Sequence, residues 1–214
     1  VDAPDKDGEW LKTRIIERRD GRLLRLPQED FCQALSVPSS RKYQDRGGPG
    51  VRAILEQLRE SDDPLRDQAL FFKSQVVFWL VGATDGHAKN FSLFLRPEGR
   101  FELTPFYDVL TSQPSFDAGQ IPLRAFRLAM SVGVSVRYRI LGLHGRHFVE
   151  SGKAAGLGPA LIRRVLDEIM EQATTAPDEA RSAMPVDFHP EAHDAIKRAL
   201  PRRLNLLKSA FASL

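Results

Sequence analysis

Cysteine is almost absent. Cys32 is the only one in 214 residues. A single thiol excludes an internal disulfide and fits a reducing compartment. Cys32 itself reads as a small buried residue rather than a nucleophile. Long apolar runs are missing too. The longest, Val76–Ala83, falls far short of the roughly 18 residues that cross a bilayer. No basic segment followed by an apolar one opens the chain, so no secretory signal is visible and the cytoplasm is the expected compartment. Internal repeats and low-complexity tracts are absent. So is a glycine-rich loop between strands with a lysine following it. Gly47-Gly48-Pro49-Gly50 is rich in glycine, but Pro49 and the helical pattern after it fit a helix-entry turn better. The chain begins with Val1, not Met, and is expected to be a piece of a longer protein.

What is present suits one large domain or two small ones. At 42% hydrophobic residues the chain can bury a sizeable core. The polar residues 1–21 read as a loop, a short strand around Thr13–Ile16 and a turn at Asp20-Gly21. Gln28–Leu35 reads as a short helix and 36–48 as a loop. Val51, Ile54, Leu55 and Leu58 recur at helical spacing, so 50–60 is an amphipathic helix. Pro64 opens a helix to about Leu80, with Phe72, Val76, Trp79 and Leu80 on its buried face. Phe91–Leu95 and Phe101–Leu103 flank a turn at 96–100 and predict a hairpin. Residues 111–121 read as irregular. Ala160–Ala173 predicts a helix, and Pro190–Leu214 another that Pro201 kinks or divides. The expected fold is mostly α with a small β-hairpin or sheet.

The chemistry concentrates in one segment. Asp85-Gly86-His87-Ala88-Lys89-Asn90 is followed, beyond the predicted hairpin, by Tyr107-Asp108. Protein kinases use that order for a substrate-orienting Asp, a metal-binding Asn and a metal-binding Asp. The residue types suit the task. A phosphoryl group in transfer spreads negative charge over its oxygens, and oxygen ligands hold the Mg²⁺ that neutralises it. A separate carboxylate takes the proton of the attacking hydroxyl. The hairpin would turn the chain back and bring Asp108 to Asn90. Alone, an Asp-x-x-x-x-Asn spacing also fits a capped loop without chemistry. An Asp/His metallohydrolase is a second alternative. Its site would need more converging ligands than Asp85, His87 and Asp108, and His144, His147, His189 and His193 are scattered.

Val81-Gly82-Ala83-Thr84-Asp85-Gly86-His87-Ala88-Lys89-Asn90-Phe91-Ser92 and Leu103-Thr104-Pro105-Phe106-Tyr107-Asp108 resemble the HipA family of bacterial serine/threonine-kinase toxins. Arg25-Leu26-Pro27-Gln28-Glu29-Asp30-Phe31-Cys32-Gln33, Lys42-Tyr43 and Gly47-Gly48-Pro49-Gly50 extend the resemblance upstream. It implies a kinase C-terminal lobe over 1–214, with the N-terminal subdomain and N-lobe lying outside this chain. It implies ATP and Mg²⁺ as cofactors. Asp85 would be the catalytic base, and Asn90 and Asp108 the metal ligands. His87, Ala88, Lys89, Asn90, Tyr107, Asp108 and Gln28 would face the nucleotide. The family substrate is a glutamyl-tRNA synthetase, and the outcome is growth arrest. The partners would be a HipB-like helix-turn-helix antitoxin and operator DNA, with nucleoid association in that complex. No membrane is implied. Without an N-lobe, the chain alone is expected to be inactive. The alternative is a non-catalytic corepressor module bound to antitoxin and DNA.

Net charge is only +3, but its distribution is uneven. Between Thr111 and Gly156, Arg124, Arg127, Arg137, Arg139, Arg146 and Lys153 stand against Asp117 and Glu150. Such a stretch suits phosphate or acidic-protein contact, or simply a solvated face. The resemblance implies that Lys153 contacts DNA, and the basic stretch adds Arg137 and Arg139 as candidate contacts. The arginine that the family places three residues after Lys153 is Gly156 here.

Overall fold

The computed structural model describes residues 15–17 and 23–214. It is mostly helical with small antiparallel sheets, as the periodicity predicts. Strand β1 (Ile15–Glu17) pairs with β2 (Leu23–Arg25). Of the strand expected around Thr13–Ile16, Ile15 and Ile16 are in β1, and Thr13 lies outside the described residues. The turn at Asp20-Gly21 lies outside the described residues.

The helix expected at Gln28–Leu35 is corrected. Gln28–Asp30 forms strand β3, and only Phe31–Ala34 is helical (α1). Asp30 explains the break. Its carboxylate accepts from the backbone N–H groups of Cys32 and Gln33, and the Gln33 side chain accepts from Asp30 N–H. This capping box needs an extended residue at position 30. That frees the backbone before it to pair with a strand. Gly50 then starts helix α2 (Val51–Gln57), continued by a turn of 3-10 helix over Leu58–Glu60. The Gly/Pro stretch is therefore a helix-entry turn, as its pattern suggests.

Helix α3 (Pro64–Val81) is the centre of the molecule. Asp63 caps it, Pro64 occupies the first turn, and Gly82 ends it in the left-handed region at φ 72°. Phe71, Phe72, Val76, Phe78, Trp79 and Leu80 are all buried, so apolar residues cover the helix on several sides. The predicted hairpin packs beside it as β4 (Ser92–Leu95) and β5 (Phe101–Leu103), with Leu93 opposite Leu103. β3 joins the other edge of β4, with Gln28 opposite Phe94. Buried Asp67 of α3 accepts from Leu103 N–H at 2.9 Å and so ties the hairpin to the central helix. Burial pushes the Asp67 carboxyl up from its ordinary pKa.

Some elements escaped the sequence reading. A short helix, α4 (Gln113–Asp117), interrupts the stretch expected to be irregular. A second hairpin pairs β6 (Arg127–Val132) with β7 (Arg137–Arg139). The rest is helical: α5 (Gly145–Ala154), α6 (Pro159–Gln172), α7 (Ala176–Ala183) and α8 (Glu191–Leu207). Helix α8 runs through Pro201, so of the two expected outcomes, kink or division, it is not divided, and a 3-10 segment follows at Lys208–Ser213. Proline costs one helical hydrogen bond. Tertiary anchoring offsets it two residues later. Buried Arg203 donates to Leu80 carbonyl at 3.0 Å and to the Gln113 side chain. Burial lowers the Arg203 pKa to about 10. Among the described residues, no helix is long and apolar enough to cross a membrane.

Candidate functional site

The loop after α3 is fixed at both ends. Gly82 carbonyl accepts from Ser112 N–H at 2.9 Å, and Ala83 bridges to Thr111. Thr111 Oγ1 donates to Val81 carbonyl at 2.6 Å, and Thr84 and Ser112 hydroxyls meet at 2.7 Å. Asp85 then emerges exposed. Its carbonyl accepts from His87 N–H at 2.9 Å, a tight reversal. Gly86 is pressed onto α3: a Cβ there would lie 2.3 Å from Phe78 Cδ2. Only glycine lets the backbone approach that ring.

The Asp85 carboxylate is oriented from a distant segment. Tyr43 Oη donates to Asp85 Oδ1 at 2.6 Å. The Tyr43 ring meets the His87 ring edge-on at 5.1 Å. Lys42 carbonyl accepts from Ala88 N–H at 3.3 Å, so the two segments are also joined through backbone. The bond to Asp85 is the main reason the Tyr43 hydroxyl is pushed up to about 12. Tyr43 is therefore a protonated donor at neutral pH. Asp85 Oδ2 remains open, 3.9 Å from His87 Nε2. His87 is 4% exposed, and its Nδ1 is buried without a partner. Burial lowers its pKa below the ordinary value, so the ring is neutral at pH 7.

The hairpin delivers Asp108 as its geometry predicts. Asn90 Nδ2 donates to Asp108 Oδ2 at 3.0 Å. Asn90 is 3% exposed, whereas Asp108 is exposed. Asp108 holds φ at 57°, uncommon for a residue other than glycine. Strain of this kind clusters at functional sites. Tyr107 stabilises the return. Its hydroxyl donates to Lys89 carbonyl at 2.8 Å and accepts from Ser92 Oγ at 2.6 Å.

The structure brings Asp85, His87, Ala88, Asn90, Tyr107 and Asp108 together. Two other predicted residues sit differently. Lys89 turns to Asp30, with Nζ 2.6 Å from Oδ2. That bond raises the lysine's pKa. Gln28 is exposed on β3, and its side chain forms no hydrogen bond among the described residues. Among the proposed DNA contacts, Arg139 is exposed and Arg137 lies 3.8 Å from Glu150. Lys153 donates to the carbonyl of Ser213 at 2.7 Å. Tyr43 and Asp30 are the contributors that sequence reasoning missed. The Asp30-x-x-Gln33 capping pattern signals the second, but no local pattern signals the first.

The donor set can be compared with what a metal needs. Among the described residues, no group of three or more His, Cys, Asp or Glu is placed to hold a metal ion, which tells against the metallohydrolase. Asn90 Oδ1 and Asp108 Oδ1 accept no hydrogen bond among the described residues. One carboxylate and one amide oxygen, side by side, fit Mg²⁺, which keeps waters and takes the rest of its shell from phosphate.

Residues 5–177 match the family model of the HipA-like C-terminal domain. The chain belongs to that family. It is 32% identical over 158 residues to the protein of Sinorhizobium fredii that bears the name "Putative kinase Y4mE". That match covers 73% of this chain and 36% of Y4mE. It is 32% identical over 118 residues to the serine/threonine-protein kinase toxin HipA of Shewanella oneidensis, over 47% of this chain and 27% of the toxin. The solved complex of Shewanella oneidensis HipA with HipB and operator DNA superposes with a TM-score of 0.76 at 20% identity. The overlap covers 92% of this chain and 48% of that one. The chain thus spans half or less of the length of these relatives.

Proposed function

We propose that this chain is the catalytic C-terminal lobe of a serine/threonine-protein kinase of the toxin type. The complete protein would transfer the γ-phosphoryl of ATP to a protein hydroxyl. The bond between Asn90 and Asp108, on the loop that also presents Asp85, carries the reading. Asp85, held at Oδ1 by Tyr43, offers Oδ2 to the acceptor hydroxyl and takes its proton. Asn90 and Asp108 would hold Mg²⁺, which when bound neutralises charge on the transferring group. His87 and Ala88 would line the nucleotide side, with Tyr107 and Gln28 near it. Lys89 would act through Asp30 and the loop rather than as a free cation.

The relatives support the wider assignment. The HipA of Shewanella oneidensis is a kinase toxin solved with HipB and operator DNA. By extension, a HipB-like helix-turn-helix antitoxin and its operator are the proposed partners here, with Arg137, Arg139 and Lys153 as candidate DNA contacts. A glutamyl-tRNA synthetase is the proposed substrate and growth arrest the outcome. The test is radiolabelled transfer from ATP by the complete protein to purified glutamyl-tRNA synthetase. Label on a serine or threonine is expected. Absence of any Mg²⁺-dependent protein phosphorylation would remove the kinase reading.

A further inference from the structure

A depression of about 520 Å³ lies between α4 and α8 and shares no lining residue with the site around Asp85. Its volume falls in the range of small-molecule sites. Its charged lining is Asp117, Arg198, Arg202 and Arg203, a balance of +2. Phe116 and Leu141 stand among its apolar walls.

The arginines are placed there at a cost. Arg198 and Arg202 stand four apart on α8, the spacing at which like charges repel. Arg203 is 4% exposed, and its described hydrogen bonds run to neutral acceptors, the Leu80 carbonyl and the Gln113 side chain. Burial works against its charge, Asp117 favours it, and Arg202 works against it again. A buried charge is costly unless an opposite charge meets it. Asp117 is the one acid in the lining, and it is already shared. It accepts from Gln113 Nε2 at 2.7 Å and from Arg198 at 3.3 Å. Arg202 is exposed and has no acidic partner among the described residues. A dianion among the three guanidinium groups would offset both the repulsion and the burial.

We propose that this depression is a binding site for a small phosphate monoester with an apolar body. A phosphate monoester carries about −1.5 to −2 at neutral pH, which matches the lining, whereas a carboxylate or a phosphodiester carries a single charge. Arg198 and Arg202 would hold the phosphate oxygens in the bidentate geometry that guanidinium favours, with the charge of Arg203 beneath them. The apolar body would cover Phe116 and Leu141, the second of which is 38% exposed. Arg203 also reaches the end of α3. A Cβ at Gly82, three residues before Asp85, would lie 3.4 Å from its Nη1. The guanidinium beneath the site is thus one that packs against the root of the Asp85 loop.

The test uses the complete protein with Mg²⁺ and a non-hydrolysable ATP analogue present throughout, so that nucleotide binding is held constant. Calorimetry compares phenyl phosphate, inorganic phosphate and benzoate. Phenyl phosphate is expected to bind about tenfold tighter than either, since the first control lacks the apolar body and the second lacks the second charge. Arg198→Gln combined with Arg202→Gln changes exposed side chains only. It should weaken phenyl phosphate at least about tenfold and leave the melting temperature in place. Phenyl phosphate binding no tighter than inorganic phosphate would mark a cationic face that collects any anion, and would overturn the proposal. Parental affinity for phenyl phosphate in the double variant would overturn it too, by placing the ligand elsewhere. If that variant also lost affinity for an operator duplex in the antitoxin complex, the two arginines would belong to DNA. No measurement here involves phosphoryl transfer, so the site stands or falls apart from the kinase reading.

Discussion

Tyr43 and Asp85, 42 residues apart in sequence, are joined by a 2.6 Å hydrogen bond from the phenol to the carboxylate. The bond occupies Oδ1 and leaves Oδ2 without a hydrogen bond among the described residues. On the proposed function it would select which carboxylate oxygen meets an acceptor. Tyr43 is a positioning residue, since it acts through Asp85. Tyr43→Phe keeps the ring against His87 and removes only the donor. Phosphoryl transfer by the complete protein is expected to lose about tenfold in kcat, the scale of one hydrogen bond to a charged group. Nucleotide affinity and melting temperature should hold. Equal losses in kcat and nucleotide affinity would mark Tyr43 as merely structural.

Asp85→Asn removes the base and keeps the shape. The amide still accepts from Tyr43, so the loop should stay in place. Losing a general base costs about 10²–10⁴-fold in rate. Transfer and toxicity of the complete protein should fall by that amount with an unchanged circular dichroism spectrum. A variant with near-parental kinetics would take Asp85 out of the role.

Asn90→Ala and Asp108→Ala test the metal. Each removes one hard oxygen donor from a pair that is already assembled. Calorimetry of ATP binding with and without Mg²⁺ should show the Mg²⁺-dependent part of the affinity reduced at least about tenfold in each. Metal dependence identical to the parent in both variants would refute the assignment.

The approach of Asp108 to Asn90 was legible because it is a chain-topology argument. An apolar hairpin must fold back, and its return strand ends five residues before Asp108. The helices α2, α3 and α6 were legible for a similar reason, since apolar periodicity and proline or glycine punctuation mark them locally. The failures share a cause as well. Gln28–Asp30 looks helical by neighbourhood but is claimed by β4, a partner more than sixty residues away. Pro201 looks like a break, but Arg203 is clamped between α3 and α4 from inside the same helix. The hairpin of β6 and β7 escaped because its turn uses Val136 in the left-handed region, where turn chemistry predicts glycine or asparagine. The pairing of Lys89 with Asp30 was not legible, because a Gln28–Leu35 helix puts Asp30 in its interior rather than at a cap with a second oxygen to spare.

Gly86→Ala should damage the loop without touching its chemistry. The new methyl would meet the Phe78 ring, which is 4% exposed and stacked on Phe91 at 5.6 Å. Overpacking of this kind costs about 1–3 kcal/mol. Denaturant unfolding should show that loss, and Asp85 should become mispositioned, with transfer falling alongside. Parental stability in the variant would mean that the loop yields rather than the ring.

His147 gives a pH dependence that can be isolated. It is 3% exposed on α5, and its Nδ1 accepts from His144 N–H at 3.1 Å, closing the helix start. Burial lowers its pKa from the ordinary 6.5, with Arg137 adding to the effect and Glu150 opposing it. The unfolded chain therefore binds a proton near pH 6.5 that the folded chain refuses until lower pH. In that window the unfolded state holds more protons, so stability falls as pH falls. The slope from one such group is at most about 1.4 kcal/mol per pH unit, and it ends once the folded histidine also protonates. His87 acts in the same direction, because burial lowers it too. Asp67, raised by burial, acts in the opposite direction from its ordinary value upward. Glutamine is a customary third residue of a capping box and does not titrate. His147→Gln should thus preserve the helix start and flatten the loss of stability between pH 7 and pH 5.5. Urea unfolding at both pH values, on parent and variant, measures it. Parallel losses in the two proteins would show that His147 takes no part in the acid sensitivity of the fold.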